Sequence, residues 1–83
     1  MISNSIYIAT QKKNSGDDGS ISTGLPVSAR LLLGAYDNDN GAYILIPFIY
    51  NGIWHLKAVT YGNLQTLQNV EISYSLIIKN ING

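Results

Sequence analysis

The chain has 83 residues, no cysteine, a formal net charge of zero and only 12% charged side chains. A domain of this size buries only about 60–65% of the surface its unfolded chain exposes, and without cysteine it has neither a disulfide nor a thiolate metal site to reinforce it. Nucleic-acid binding needs a basic surface to neutralise phosphates, so nucleic acid is excluded as the expected partner, and the basic pair Lys12-Lys13 reads as solvated loop charge.

In chain order, Met1 to Ser5 has no basic segment leading into an apolar stretch, so no signal peptide is expected. No window approaches the roughly 20 apolar residues of a membrane helix, so no membrane insertion is expected either. Ser5 to Thr10 is a weak strand, and Lys12 to Ser20 reads as a polar loop. Val27 to Tyr36 is predicted as a strand with Val27, Ala29, Leu31, Leu33 and Ala35 on one face. The run Asp37-Asn38-Asp39-Asn40-Gly41 is a turn. It resembles a calcium loop only in part, because Gly41 arrives one position early and no Glu follows before Glu71. No metal or cofactor is expected. Ala42 to Tyr50 is an apolar, β-rich run, and Asn51-Gly52 is a two-residue hairpin signal, since both central positions need positive φ. Ile53 to Thr60 is the next strand. Tyr61 to Asn69 is a loop with a short helical turn near Leu64 to Leu67. The last strand alternates, with Val70, Ile72, Tyr74, Leu76 and Ile78 on one face and Glu71, Ser73, Ser75 and Lys79 on the other.

The hairpin fixes a register. A two-residue turn pairs Tyr50 with Ile53, Ile49 with Trp54, Phe48 with His55 and Pro47 with Leu56. Pro47 then lacks its N–H on the side away from the Trp54 strand, so that side should carry a break or an edge. If the three central strands form a meander, parity makes the turn before Ala42 a three-residue loop with Gly41 in a left-handed bulge. One face of the hairpin, with Tyr43, Leu45, Pro47, Ile49, Trp54, Leu56 and Ala58, is assigned to the core with Val70, Ile72 and Tyr74. The other face carries Ile44, Ile46, Phe48, Tyr50, Ile53, His55 and Val59, with Lys57 among them. A solvated sheet face would be polar, so something covers this one. The N-terminal segment with Ile6 and Ile8 and a neighbouring subunit are the two candidates, and the oligomer interface is assigned to this face.

Catalysis needs groups held together with tuned protonation. His55 is the only His and Glu71 the only Glu. Ser28 or Ser73 would complete a Ser-His-Asp set on paper, but nothing frames a nucleophile elbow. Asp17-Asp18 and the Asp37/Asp39 pair both sit in turns. No catalytic residue is assigned. Trp54 falls on the core face by parity, so contact with a ligand is left to loops. The ligand-binding candidates are Tyr36, Asp37, Asn38, Asp39, Asn40, Tyr61, Asn63 and Gln65, because Tyr offers apolar area with a polar tip at little entropic cost.

The apolar strand into Asn51-Gly52-Ile53-Trp54-His55-Leu56-Lys57-Ala58-Val59, followed by Asn69-Val70-Glu71-Ile72-Ser73-Tyr74-Ser75-Leu76-Ile77-Ile78-Lys79, resembles the distal β-sandwich modules of phage tail fibres and receptor-binding proteins. The resemblance covers roughly residues 27–79 and includes no catalytic or metal motif. It implies a homotrimer, a β-rich tip, host-surface ligands held by loops and a place in the virion. The chain departs from that family in being very short and in lacking a triple-helical shaft.

The expected fold is therefore all-β. It is a single antiparallel β-sandwich or jelly-roll-like domain of about five to seven strands over residues 1–83. Residues 1–26 supply an N-terminal strand and a polar loop, and residues 27–79 the main sheet. The expected function is non-catalytic attachment, by a homotrimer, to a host-surface glycan or protein. A monomeric carbohydrate-binding module and a purely structural assembly domain are the alternatives.

Overall fold

The computed structural model describes residues 5–39 and 43–81. Within them the chain is all-β. Six antiparallel strands, β1 (Ile6–Asn14), β2 (Ser20–Pro26), β3 (Arg30–Asp37), β4 (Tyr43–Tyr50), β5 (Ile53–Thr60) and β6 (Glu71–Asn80), form two three-stranded sheets. Sheet A has the order β1-β6-β3 and sheet B the order β2-β5-β4. Apart from the β4–β5 hairpin, every link between consecutive strands crosses from one sheet to the other.

The alternation of apolar residues explains the layers. In β6, Ile72, Tyr74, Leu76 and Ile78 are fully buried, and Leu32 joins them from β3. Ile21, Leu45, Leu56 and Ala58 face them from sheet B, with Trp54, Tyr43 and Leu25 at the margin of the cluster. At about 25 cal/mol per Å² of apolar surface, this shared layer is the main source of stability.

The hairpin register is the expected one: Tyr50 opposes Ile53, Ile49 Trp54, Phe48 His55 and Pro47 Leu56. Asn51 (φ 51°) and Gly52 (φ 74°) both take the left-handed conformation that the two-residue turn requires. β4 is an edge strand, so the missing N–H of Pro47 points off the sheet.

Several expectations need correction. Ser20–Pro26, read as loop, is a strand paired with β5. Only Ile21 and Leu25 mark its inner face, and the third inward residue, Thr23, is a buried polar side chain. Lys12 to Asn14 continues β1 instead of opening a loop. The strand expected from Val27 begins at Arg30, after a turn at 27–29. Its inward residue is Leu32, while Leu31 and Leu33 are exposed. A register shift between Leu32 and Gly34 then switches parity, so that Ala35 packs on the core. β3 pairs with β6 and not with β4, so there is no central meander. The bulge expected at Gly41 required that meander, and Asn40 and Gly41 lie outside the described residues. No helical turn forms at Leu64 to Leu67; Thr66 instead bridges to Val59. Pro47, Ile49 and Val70, assigned to the core, are exposed. Ile6 and Ile8 pair with β6 in sheet A and do not cover the outer face of sheet B.

Two sets of polar contacts lock the layers together. Tyr74 donates to Gln11 Oε1 (2.6 Å), Gln11 Nε2 to the Thr23 carbonyl (3.1 Å), Thr23 Oγ1 to the Trp54 carbonyl (2.7 Å) and Trp54 Nε1 to the Arg30 carbonyl (3.1 Å). This chain ties both sheets through partners that are at least half-buried, where an unmade bond is costly. The buried Ser15 is the second lock. Its Oγ donates to the Leu67 carbonyl (2.5 Å) and accepts from the Val70 N–H (2.9 Å), fastening the 61–70 segment to the end of β1. No helix of the described residues is long and apolar enough to cross a membrane.

Candidate functional site

β3 and β4 leave their sheets side by side, and the segment after β5 folds back beside them. Together they form a cleft of about 320 Å³ lined by Ala35, Tyr36, Asp37, Tyr43, Ile44, Leu45 and Tyr61. Asp37 holds the Asp39 N–H (2.7 Å) in a local turn, and the Tyr43 hydroxyl donates to Asp39 Oδ2 (3.3 Å). Burial, and after it the carboxylates of Asp37 and Asp39, hold the Tyr43 phenol well above its usual range. Its proton is the one donated to Asp39. The mouth offers one aromatic face (Tyr61), one phenol (Tyr43) and acceptor oxygens.

The sequence-predicted ligand residues divide here. Tyr36, Asp37 and Tyr61 line the cleft, and Asp39 reaches Tyr43. The Tyr36 ring lies across Gly34, with its hydroxyl 3.0 Å from where a Cβ would stand, so it serves as wall more than as a stacking surface. Asn38 is turned to the outer face of sheet A, where its side chain bonds to Ser73 and Ser75. Asn63 Oδ1 accepts from Thr60 Oγ1 (2.6 Å), and Thr60 Oγ1 in turn accepts from the Gln65 N–H (3.1 Å). Asn63 thus spends its side-chain acceptor, and Gln65 its backbone, on closing the turn. Asn40 lies outside the described residues. Tyr43, assigned to the core by its inward parity, is half-buried and also brings its hydroxyl to the cleft.

A second cleft, of about 310 Å³, lies on the outer face of sheet B between Asp18, Ser20, Phe48, Tyr50 and His55. The Phe48 and His55 rings stand 5.4 Å apart and the Tyr50 and His55 rings 5.5 Å apart, the latter edge to face. Ser20 donates from both Oγ (2.6 Å) and N (3.0 Å) to Asp18 Oδ1, and these bonds, with Lys57 nearby, hold the Asp18 carboxyl below its usual range. Ser, His and Asp therefore share one cleft, but not the bonds of a catalytic triad. The serine is held by the carboxylate, and His55 Nδ1 bonds the Ile53 carbonyl (3.0 Å). Ser73 faces outward on sheet A and Ser28 sits in the turn before β3, both away from His55.

No family model, curated protein or solved structure matches the chain.

Of the residues expected to face a neighbouring subunit, Val59 is only 4% exposed. It is buried within this chain, where Thr66 bridges to its backbone, and drops out. Ile44, Phe48, Ile53 and His55 are half-buried, and Ile46 and Tyr50 remain open. Among the described residues no group of three or more His, Cys, Asp or Glu converges to hold a metal ion.

Proposed function

We propose that the chain is a non-catalytic attachment module that holds a polyhydroxylated ligand, a surface glycan, in the Tyr43–Tyr61 cleft. The observation that carries this reading is the convergence of Tyr43, Tyr61 and Asp37 in one open cleft, with Asp39 on the Tyr43 hydroxyl. A sugar ring offers an apolar face to an aromatic side chain and hydroxyl donors to carboxylate oxygens, which is the chemistry this cleft presents. A single cleft of this size binds weakly, so self-association would add affinity through multivalency. A place at the tip of a virion fibre is consistent with this function and rests on the sequence resemblance.

Titration of glycans against the chain, read by amide chemical shifts, tests the reading. Shifts should map to Ala35, Tyr43 and Tyr61, and Tyr61→Ala should weaken binding about tenfold, as loss of a stacked aromatic of 1–3 kcal/mol implies. Tyr43→Phe, which keeps the ring and removes the donor, should weaken it about fivefold to tenfold. Phe48→Ala, in the other cleft, should leave it unchanged. Binding that ignores the tyrosines and fails in Phe48→Ala would transfer the function to the second cleft.

A further inference from the structure

We propose that β1 pairs edge to edge, antiparallel, with β1 of a second copy of this chain about a two-fold axis at Ile8, joining two copies of sheet A into one six-stranded sheet. The four sheet edges differ in how they are defended. An open edge is a template for strand addition unless a proline, a bulge or side-chain cover blunts it. In β4, even-numbered residues bond to β5 through the Tyr50–Ile53 register. The odd-numbered ones face off the sheet, and Pro47 stands in the middle of them without an N–H. β3 is bulged between Leu32 and Gly34. β2 is irregular between Ser22 and Pro26, with Gly24 at φ 78°. Its Ser22 and Thr23 carbonyls are already taken by Lys13 Nζ (2.7 Å) and Gln11 Nε2 (3.1 Å).

β1 has no proline, bulge or side-chain cover, and its two lysines, Lys12 and Lys13, lie towards its far end. It runs in unbroken register against β6 from Ile6–Lys79 to Asn14–Glu71. At its two ends the Asn80 N–H bonds to the Ser5 carbonyl (3.2 Å) and the Ser15 N–H to the Val70 carbonyl (2.8 Å). Odd-numbered residues therefore bond inward, and the N–H and C=O groups of Ile6, Ile8 and Thr10 point off the edge. The side chains beside them are apolar and open, Ile6 being 60% and Ile8 68% exposed.

The occupant follows from symmetry and charge. A two-fold axis at Ile8 sets Ile8 against Ile8 and Ile6 against Thr10, and an antiparallel ladder makes two bonds at each such pair. Lys12 and Lys13 fall beyond the paired segment and do not oppose their copies. A neutral chain sets no long-range repulsion against its own approach. Such an edge contact is smaller than the roughly 800 Å² per partner of a standard interface, so the dimer should populate at about 10 µM to 1 mM.

Sedimentation across that range decides it. The wild-type mass should rise from 9.0 kDa towards twice that value. Ile8→Pro deletes a donor that faces off the edge and no bond to β6, so it should remain monomeric with an unchanged melting temperature. Ile46→Lys, on the other sheet, should dimerise like the wild type. A wild type that stays monomeric to 1 mM, a dimer that survives Ile8→Pro, or one lost in Ile46→Lys overturns the proposal. If Ile8→Pro fails to fold, amide exchange in the wild type decides instead. The Ile6, Ile8 and Thr10 amides should exchange more slowly as concentration rises, and exchange independent of concentration overturns it.

Discussion

Gly52 and Gly19 both hold positive φ, but they differ in what surrounds them. A Cβ on Gly52 (φ 74°) would meet nothing within 4 Å, so Gly52→Ala should cost only the backbone term, about 1 kcal/mol. On Gly19 (φ 78°) it would stand 3.0 Å from the Thr66 Cβ and 3.4 Å from the Ala58 carbonyl. Gly19→Ala should therefore cost clearly more, about 2–3 kcal/mol. Urea melts of the two variants check the ranking, and equal costs would show that space around Gly19 gives way freely. Tyr74 makes a different kind of prediction. Burial pushes its phenol from the ordinary 10 up to about 12. The folded chain thus holds that proton more tightly than the unfolded one. The resulting stability is complete below about pH 10 and is lost as pH rises through about 12, some 2–3 kcal/mol across the window. Tyr43, also raised, acts in the same direction. The melting temperature should fall above pH 10, and more shallowly in Tyr74→Phe. Parallel profiles would show that Tyr74 does not titrate with unfolding.

At the scale of elements, the Ser15 lock is the test case. Ser15→Ala leaves the Leu67 carbonyl and the Val70 N–H without their side-chain partner in a buried position. A loss of about 2–3 kcal/mol is expected, with faster amide exchange at Leu67 and Val70 but not in the β4–β5 hairpin. Exchange that rises uniformly would mean that Ser15 secures the whole fold and not one segment. The elements that the sequence made legible are those in which a period-2 pattern coincides with a strong turn, as in Asn51-Gly52 between β4 and β5, or with a long apolar alternation, as in β6. β2 was hidden because Thr23 occupies an inward position that apolar counting scores as polar, although its hydroxyl is satisfied by Trp54. In β3 the bulge at Leu33 reverses the face halfway along, and no fixed period describes both halves. The tyrosine cleft was legible in part. Loop tyrosines can be read from composition, but Tyr43 reaches Asp39 only because β3 and β4 belong to different sheets that meet at that end.

The whole molecule measures 44 × 27 × 20 Å with a radius of gyration of 13.0 Å, somewhat more extended than the roughly 12 Å expected for this length. Only the β4–β5 hairpin is local in sequence; β1 and β3 both wait for β6, and Ile6 lies beside Lys79. Loop closure must precede such contacts, so refolding should occur in milliseconds to seconds. Stopped-flow Trp54 fluorescence measures this, and refolding in microseconds would show that the transition state needs no long-range pairing. The same arrangement bears on synthesis. β6 is the middle strand of sheet A and the last of the six to leave the ribosome. At about 5–20 residues per second, β1 and β3 spend seconds in the cell without the strand that separates them. The nascent chain can close its β4–β5 hairpin early, but the inner faces of β1 and β3 stay unshielded until β6 has emerged.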